Sequence, residues 1–410
     1  MSGPLEGIRA VEWAAYANSP LIGVMLGDFG ADVIKIEERG VGEPLRGMSS
    51  LHGTGQRLIS GINAAVENTN RNKRSISLDL KKPKGREIAY KLIKKADVFY
   101  TNYGEKRALN VGLDYDSLSK INPQLIYSNN TGYGKLGPDS EKRAFDPGVQ
   151  ARSGLMMSAG ERDTPPGMIV STILDATGAT VATLGIITAL LARERKGVGQ
   201  LINSSLLGSA LWIQIFNIQT ALLRGESREH LGTQRNSRNK PRNVLSNMYE
   251  CADHKWILLG EPQFDRFWGD FCRVTGITDP ALVNVKMAEL NKGDGMLRML
   301  DVLDKLFATR PRDEWLTIFK EKNAAFAFDS INDVTDVLHD PQVMANNFFV
   351  NFEHPYAGKI RYMLSPLEFN KTPAKIKSAA PEYAQHTEEI LLEIGYSWED
   401  IANLKDEEVI

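Results

Sequence analysis

The sequence predicts an α/β fold in which helices flank a parallel β-sheet. Over the first 130 residues, short apolar runs alternate with helical patterns, which is typical of strand–helix–strand units in a parallel sheet. At 410 residues the chain is also too long for one ordinary domain, since domains average about 150 residues. We therefore expect two or three domains, the first of them built around the sheet.

The elements of the sheet follow one another from the amino end. Apolar runs predict the strands, and Ile88 and Leu92, which share one helical face, predict a helix at 84–95. Segments 41–72 and 103–116 are rich in Gly, Asn and charge, and are predicted to be loops. The predicted strands are 8–13, 32–37, 75–80, 97–101 and 124–129, and the predicted helices are 20–29 and 84–95.

The second half of the chain starts with a long helical pattern at 174–195 and then changes character. Residues 224–242 carry six Lys or Arg and almost no apolar side chains, which indicates an exposed linker at a domain boundary. Beyond it, 248–251 and 256–259 are predicted to form a hairpin. The other predicted elements are a strand at 200–204, helices at 206–223, 263–275, 296–308, 312–322 and 387–394, and strands within 349–369.

The charge balance and the cysteine content exclude several classes of protein. Forty-nine Lys and Arg against 51 Asp and Glu give a net charge of −2, which argues against a nucleic-acid-binding protein with a broadly basic surface. Cys251 and Cys272 are too few for a disulfide scaffold or a metal quartet. The amino end lacks a signal-peptide pattern, and the uncharged run 176–192 is shorter than the ~20 residues of a membrane span. We expect a soluble, cytoplasmic protein with no metal, nucleic-acid or membrane partner.

Asp175 is the main candidate for chemistry. It stands at the start of the predicted helix at 174–195, where a carboxylate either caps the helix or is held in its ionised form. The small side chains of Ala176 and Gly178 would let a bulky reagent approach, and an ionised carboxylate can act as a nucleophile. The capping and the nucleophilic interpretations both remain open.

A basic segment suits an anionic, nucleotide-like ligand. Arg71, Lys73 and Arg74 lie beside a predicted strand, with Lys81 at its far end, and these side chains could meet phosphates. A solvated basic turn explains them equally well. Residues 102–104 and 131–134 end two strands with amides, aromatic rings and glycines, which could contact such a ligand or simply form turns.

An apolar acyl pocket is a further hypothesis. Trp212 and Phe216 have i, i+4 spacing, and together with Met248 and Tyr249 they could line a pocket for a medium-sized apolar, branched or aromatic group. Aromatic pairs at this spacing also occur in plain helix cores, so the core interpretation stays open.

The chain resembles the family III CoA-transferases, the formyl-CoA:oxalate and carnitine CoA-transferase type, over essentially its full length. Around 204–212 and before residue 248 it looks more like the branch that uses 2-hydroxy acids and aromatic acids. The motifs that carry the resemblance, in chain order, are PLEGIRAVEW, GADVIKIE, NRNKRSISLDLK, ADVFYTNYG, NPQLIYSNNTGYGKLGPD, LDATGAT and GVGQLINSSL.

The resemblance implies a Rossmann-like large domain built from both ends of the chain, a smaller α+β domain and an interlocked homodimer. The predicted ranges are 1–223 for the first part of the large domain, 224–245 for a linker, 246–330 for the small domain and 331–410 for a linker and the return to the large domain. Coenzyme A is implied as part of the thioester substrate, with a carboxylic acid as the second substrate and no permanently bound cofactor.

The same resemblance assigns residue roles. The catalytic aspartate falls on Asp175, and Asp146 lies near the reacting centre. Gly132 and Gly134 are hypothesised to donate N–H groups to the tetrahedral oxyanion. Contacts to coenzyme A fall on Tyr16, Ala17, Asn18, Arg39, Leu78, Lys81, Asn102, Tyr103, Arg143 and Asp146.

Two departures argue against oxalate as substrate. Ala17 stands where the oxalate enzymes carry glutamine, and their long glycine-rich loop has no evident counterpart. The implied chemistry is attack of Asp175 on an acyl-CoA thioester to give an anhydride, then an aspartyl-CoA thioester, and finally transfer of CoA to an acceptor acid. Water must be kept out, because it would hydrolyse either intermediate.

Two alternatives remain. A 2-methylacyl-CoA racemase of the same fold needs a paired base and acid, but Phe145 takes the place of the histidine that precedes the aspartate in racemases. The string 249–253 nevertheless resembles racemases. A CoA-binding protein without catalysis would need Asp175 only as a cap.

Overall fold

The computed structural model describes residues 3–51, 53–58, 60–161, 164–225, 237–238 and 240–410. Part of the predicted linker, 226–236 and 239, lies outside these residues. The described residues divide into two compact units. The first lies within Met1–Met157, Met168–Leu231 and Asn347–Ile410, and the second within Ser158–Gly167 and Gly232–Asn346.

The strands of the described chain belong to four sheets. In chain order they are β1 (Arg9–Trp13), β2 (Asp32–Glu38), β3 (Ser50–Leu51), β4 (Thr54–Gly55), β5 (Lys73–Leu78), β6 (Val98–Thr101), β7 (Ile126–Thr131), β8 (Gln200–Ser205), β9 (Ser246–Glu250), β10 (Trp256–Gly260), β11 (Phe328–Ile331), β12 (Phe349–His354) and β13 (Gly358–Met363).

Helices connect most of these strands. In chain order they are α1 (Asn18–Asp28), α2 (Pro44–Gly47), α3 (Ala64–Asn70), α4 (Pro83–Lys94), α5 (Glu105–Asn110), α6 (Tyr115–Ile121), α7 (Asp146–Arg152), α8 (Ile173–Lys196), α9 (Leu206–Trp212), α10 (Ile215–Arg224), α11 (Phe264–Thr275), α12 (Pro280–Val283), α13 (Met287–Leu290), α14 (Gly295–Phe307), α15 (Arg312–Glu321), α16 (Val334–Val337), α17 (Pro341–Ala345), α18 (Thr387–Glu393) and α19 (Trp398–Asp406).

The predicted parallel sheet is confirmed. Six strands pair in the order β5-β2-β1-β6-β7-β8, and every pair is parallel. The chain first builds outward from β1 through β2 to β5, and then returns to the other side of β1 with β6, β7 and β8. The order therefore reverses between β1 and β6, and ligands of open α/β sheets bind outside the strand ends at such a point.

Both faces of this sheet are covered, as its nearly continuous apolar strands require. On one face α1 and α8 pack over Ala10, Val98 and Ile126. On the other face α4 shares its core with the two last helices, and Ile390 and Leu404 lie in the same buried cluster. The carboxyl end of the chain thus packs against strands formed by its amino end.

The second unit has its own core. Its antiparallel sheet has the order β11-β10-β9, and α11, α14 and α15 contribute a buried aromatic cluster that includes Phe307 and Trp315. This unit includes residues 158–167 and continues to 346, whereas the predicted ranges placed 158–167 in the large domain and ended the small domain at 330.

Three local predictions need correction. The single helix predicted at 206–223 is two helices, α9 and α10, bent by 76° at their junction. The segment predicted as loop at 41–72 contains α2, α3 and the short β3–β4 hairpin. The helix α19 was not predicted, although Ser397 and Asp400 form a capping box at its start, which is a readable sequence signal.

Helix α8 is long and apolar enough to cross a membrane by length and composition alone, and the bent pair α9–α10 also passes this test when taken as one span. However, 44% of the apolar window of α8 is buried inside the fold, where Ala182 and Ile186 join the core against the sheet. This pattern is typical of the core helix of a folded domain.

Candidate active site

A cavity of about 430 Å³ lies at the carboxyl ends of β1, β6 and β7, where the strand order reverses. Its walls come from four places: residues 15–18 after β1, residues 102–104 after β6, residues 130–132 at the end of β7, and the loop 140–145. Asp175, Leu206 and Arg107 complete the lining. The fold therefore gathers several sequence-predicted positions around one space.

Asp175 lies in the first turn of α8, but it does not cap the helix. The cap is Asp146, whose Oδ2 accepts hydrogen bonds from the amides of Leu174 (2.6 Å) and Asp175 (3.1 Å). Gln150 Nε2 donates to the other oxygen of Asp146 at 2.6 Å. Within the described part of the chain, no hydrogen bond is donated to the Asp175 carboxylate, so the capping interpretation of this residue is wrong.

The protonation state expected for Asp175 also needs correction. The sequence analysis expected an ionised carboxylate because of the helix start. Burial, and secondly the negative charge of Asp146, raise the pKa of Asp175 to about 7. The helix dipole does not compensate, because Asp146 already occupies the amides at the start of α8.

The loop of residues 14–16, which we call the β1 loop, is held close to Asp175. Asn102 forms two hydrogen bonds with Ala15, one to its amide (3.1 Å) and one to its carbonyl oxygen (2.7 Å). The next residue but one after the loop, Asn18, donates from Nδ2 to the carbonyl oxygen of Asp175 at 3.0 Å. A Cβ at Gly178 would stand 2.5 Å from Asn18 Nδ2, so this close approach of α1 and α8 requires glycine.

A cationic and aromatic group forms another wall. The guanidinium of Arg107 lies 3.9 Å from the centre of the Tyr103 ring, which packs on Trp13 at 4.6 Å. Arg107 also lies 3.7 Å from Glu38, which pairs with Lys81 at 2.8 Å. The sequence analysis missed Arg107, although its i, i+4 spacing from Tyr103 was a usable signal.

Four predicted contact residues do not line this cavity: Asp146, which is buried and caps α8, and also Arg39, Leu78 and Lys81. Arg39 lines a second space of about 520 Å³ near Tyr383, and its Nε donates to the carbonyl oxygen of Ile410 at 2.9 Å. The Leu78 side chain is fully buried, and only its carbonyl oxygen meets the amide of Arg39, at 3.4 Å. Lys81 is largely exposed and reaches the cavity only through Glu38, which it shares with Arg107.

The basic segment at 71–74 is not an anion site. Arg71 pairs with Asp28 at 2.7 Å, and Arg74 pairs with Asp32 at 2.8 Å. Lys73 is fully buried and pairs with Glu12 at 2.7 Å. Carboxylates from neighbouring strands and helices already neutralise these cations, so both the phosphate-binding and the solvated-turn interpretations are wrong for them.

The two glycines hypothesised as oxyanion donors differ. Gly132 lines the cavity, and a Cβ there would stand 2.0 Å from that of Ala144, so the backbone approach requires glycine. Gly134 donates its amide to Thr131 Oγ1 at 3.1 Å and does not line the cavity. The geometry therefore contradicts the role given to Gly134.

Aromatic side chains from the β1 loop and from the loop 140–145 meet in one wall of the cavity. The Tyr16 and Phe145 rings meet edge to face at 5.6 Å, and the Arg143 guanidinium lies 4.8 Å from the Phe145 ring centre. No histidine is among the described residues that line the cavity. Beside Asp175, the titratable side chains of its described lining are Tyr16, Tyr103, Arg107, Glu141, Lys142 and Arg143, without an imidazole.

The proposed acyl pocket is wrong: none of its four members lines the cavity, and Met248 lies in the second unit with 38% of its surface exposed. Trp212 and Phe216 are 65% and 88% exposed and belong neither to a core nor to the cavity. Tyr249 is fully buried within the second unit, where it stacks on Phe307 and donates its hydroxyl to the carbonyl oxygen of Val244.

Comparison with known proteins decides the family, because the profile of CoA-transferase family III matches residues 5–387. The chain belongs to family III of the CoA-transferases. Like its relatives, this family III transferase is therefore an enzyme that uses acyl-CoA.

Relatives with named activities are similar over nearly their whole length. The (R)-2-hydroxy-4-methylpentanoate CoA-transferase of Clostridioides difficile is 29% identical, over 99% of each chain. The cinnamoyl-CoA:phenyllactate CoA-transferase of Clostridium sporogenes is 28% identical, over 99% of this chain and 97% of its own. A solved structure of a CAIB/BAIF family protein from Brucella suis matches this family III transferase with a TM-score of 0.78 at 27% identity, over 96% of this chain and 100% of that chain.

Proposed function

We propose that this enzyme moves CoA from an acyl-CoA thioester to a free carboxylic acid through covalent intermediates on Asp175. The observation that carries the proposal is the cavity at the reversal of strand order, where three strand-end loops converge and no group among the described residues donates a hydrogen bond to the Asp175 carboxylate. A buried carboxylate without partners is available for attack on a bound carbonyl carbon.

The transfer takes place in four acyl-transfer steps, and each step breaks one bond to an acyl carbon as it forms another. A carboxylate oxygen of Asp175 adds to the thioester carbonyl of the donor, and loss of CoA thiolate leaves a mixed anhydride. The thiolate then adds to the aspartyl carbonyl, which releases the donor acid as a carboxylate and leaves an aspartyl-CoA thioester. The acceptor carboxylate attacks this thioester to form a second anhydride, and the thiolate finally takes the acyl carbon of the acceptor and frees Asp175. No proton needs to be gained or lost overall.

Burial of Asp175 serves this chemistry in two ways. Few solvent molecules reach the carboxylate, so the anhydride and the thioester are protected from hydrolysis. A desolvated carboxylate is also a stronger nucleophile once it has lost its proton, which a pKa of about 7 allows for about half of the molecules at neutral pH.

Charges around the cavity support one orientation of the substrate. The thioester lies against Asp175, and the amide of Gly132 at the cavity wall faces the oxyanion. The phosphates of CoA lie toward Arg107, Lys81 and Arg39, which are cations at the carboxyl ends of the strands. Tyr103, which packs against Trp13 and lies under the Arg107 guanidinium, contacts the adenine or the pantetheine chain through its ring edge.

The acyl group is apolar, aromatic or a branched 2-hydroxy acid. Tyr16, Phe145 and Leu206 give the cavity an apolar side next to Asp175, while Arg143 lies over Phe145 and can meet an acceptor carboxylate. The relatives named for 4-methylpentanoate and cinnamoyl groups act on acids of this kind. Phe145 cannot move a proton, so racemisation receives no support from this wall.

A second copy of the chain completes the enzyme as an interlocked homodimer. Helices α9 and α10 expose Trp212, Phe216, Leu222 and Leu223, each more than 60% exposed. An apolar patch of this kind on a soluble domain marks a surface for association. The resemblance to interlocked family members makes another copy of this chain its partner, in the cytoplasm.

The test is a matrix of donors and acceptors with mass spectrometry of the products. Cinnamoyl-CoA, 4-methylpentanoyl-CoA, succinyl-CoA and formyl-CoA are each paired with phenyllactate, 2-hydroxy-4-methylpentanoate, glutarate and oxalate. Turnover is expected with the first two donors and the first two acids. Turnover confined to formyl-CoA and oxalate would contradict the proposed acyl class.

The matched variants are Asp175→Ala and Asp114→Asn. Asp175→Ala should abolish transfer but still bind free CoA in calorimetry, because the CoA contacts lie elsewhere in the cavity. Asp114 is a buried carboxylate that caps α6 and does not line the cavity, so Asp114→Asn should leave transfer unchanged. Full activity of Asp175→Ala would reject the covalent mechanism and favour a binding protein or another nucleophile.

A further inference from the structure

The β1 loop is fixed in part by Lys35 and Glu43, two side chains that do not line the cavity. The carbonyl oxygen of Ala14 accepts from Lys35 Nζ at 3.1 Å, and the amide of Tyr16 donates to Glu43 Oε1 at 2.9 Å. Asn102 already holds both polar groups of Ala15. Side chains from β2, from the β6 end and from the segment before α2 therefore hold four backbone groups of three consecutive residues.

Lys35 and Glu43 belong to a buried, electrically balanced cluster beneath this loop. Lys35 Nζ lies 2.8 Å from Glu43 Oε2 and 2.6 Å from Glu12 Oε1, while Lys73 lies 2.7 Å from Glu12 Oε2. The hydroxyl of Tyr100 donates to the same Glu12 oxygen at 2.5 Å. Two ammonium groups thus balance two carboxylates, all of them at most 3% exposed, which is the condition for a buried ionic group to be tolerated.

Helix α1 packs so closely on the buried charged cluster that no side chain fits between them at Gly23. A Cβ at Gly23 would stand 2.2 Å from the Tyr100 hydroxyl and 2.6 Å from Glu12 Oε2. The helix that follows the β1 loop is therefore packed directly on the charges, and the loop is anchored from below as well as at its end.

Tyr16 shows what this anchoring holds in place. Its φ of 64° lies in the left-handed region, which is strained for a bulky residue. Such a conformation persists only where the surroundings determine it. Its ring lines the cavity and meets Phe145, so the conformation of this one residue sets the position of the wall that faces Asp175.

We propose that Glu43 and Lys35 are positioning residues for catalysis: through the Tyr16 amide and the Ala14 carbonyl they hold the β1 loop at the distance from Asp175 that the acyl transfer requires. The kinetic consequence rests on the proposed function, whereas the structural consequence does not. Neither side chain contacts substrate, and neither is among the residues that line the cavity.

The first test is hydrogen–deuterium exchange of the peptide that covers residues 14–16. Glu43→Leu removes the acceptor of the Tyr16 amide, and the double variant K35M/E43L removes both charges and leaves Glu12 paired with Lys73. Exchange of these amides should accelerate at least about tenfold in both variants. The control Asp28→Asn weakens another buried ion pair of the same unit, with Arg71, and should leave this peptide unchanged.

The second test separates positioning from loss of fold. With cinnamoyl-CoA as donor, both variants should lower kcat by about 10- to 100-fold and change KM for the donor by less than about threefold, because misplacement by about 1 Å affects the reacting geometry more than binding. K35M/E43L keeps the charge balance, so its melting temperature should stay closer to wild type than that of Glu43→Leu. Asp28→Asn should keep the wild-type kcat.

Two outcomes would overturn the positioning role of Glu43 and Lys35, and a third would test the proposed function instead. Slow exchange at residues 14–16 together with wild-type kcat in K35M/E43L would overturn the proposal. A fall in kcat that Asp28→Asn shows equally would also overturn it, because it would then reflect general stability. If the wild type transfers no CoA from any donor, the proposed function fails, and the exchange result alone decides whether Glu43 and Lys35 hold the loop.

Discussion

Asp146 caps the helix that presents Asp175: one of its carboxylate oxygens accepts a hydrogen bond from the amide of Asp175 at 3.1 Å, while no group in the described part of the chain donates one to the Asp175 carboxylate itself. The two acids therefore divide two tasks. Asp146 uses the free amides at the start of α8, and its charge together with burial keeps Asp175 protonated up to about pH 7.

The first prediction concerns the pH dependence of transfer. Because the ionised form of Asp175 attacks, kcat/KM should rise with pH and level off above about pH 7. In Asp146→Asn the amide oxygen can still cap α8, but the negative charge is lost, so the midpoint should move to lower pH. Burial is the larger cause of the raised pKa, and the shift should therefore be partial. A midpoint that stays in place would show that Asp146 does not act on Asp175.

The second prediction concerns stability. Between about pH 4 and pH 7 the unfolded chain has released the Asp175 proton while the folded protein retains it, so stability falls as pH rises through this window. The side chain of Asp175→Asn does not titrate, so the stability of this variant does not fall for this reason. Its melting temperature should therefore exceed that of the wild type by a margin that grows from pH 5 to pH 8. A margin that is constant with pH would contradict the raised pKa.

The third prediction separates transfer from racemisation. A chiral 2-methylacyl-CoA incubated in D₂O without acceptor acid should gain no deuterium at its α-carbon, because Phe145 stands next to Asp146 and no imidazole lines the described cavity. Mass spectrometry of the recovered thioester measures this directly. Incorporation of one deuterium that Asp175→Ala abolishes would establish the racemase alternative.

The fourth prediction concerns assembly. Glu at both Trp212 and Phe216 should convert a dimer into monomers in analytical ultracentrifugation, because two charges would be buried without partners in an apolar interface. Val334→Glu, at a side chain that is 79% exposed on α16, is the control for an added surface carboxylate and should leave the dimer intact. A wild-type protein that sediments as a monomer would reject the proposed association.

Most strands of the parallel sheet could be predicted from the apolar runs in the sequence. The six strands of this sheet, β1, β2, β5, β6, β7 and β8, lie within a few residues of their predicted ranges, because strands buried on both faces need continuous apolar sequence. Charges inside those runs were also readable: Glu12 and Lys35 stand between buried apolar neighbours, which signals a paired charge, but nothing local names the partner. Glu43, in a segment predicted as a loop, carried no such signal.

The errors have a common cause. The sequence left Arg71, Lys73 and Arg74 open between phosphate binding and a solvated basic turn because their charges lie close together along the chain, yet their partners lie up to 319 residues away in sequence. In the same way, Trp212 and Phe216 share a helical face in sequence, but the bend between α9 and α10 separates them and leaves both exposed. Periodicity reports what one segment needs to bury and not what lies opposite it.

From the amino-acid order alone follow the strands, the long helix with Asp175 in its first turn and the motifs shared with a transferase family, since these depend on local pattern and composition. Only the folded chain decided that Asp146 rather than Asp175 caps that helix, and that burial raises the pKa of Asp175 to about 7. The tertiary structure also brought Glu43 and Lys35 into hydrogen-bonding distance of the β1 loop. Hydrogen bonds and electrostatic shifts depend on distance and solvent exclusion, and both exist only after residues remote in sequence have been brought together.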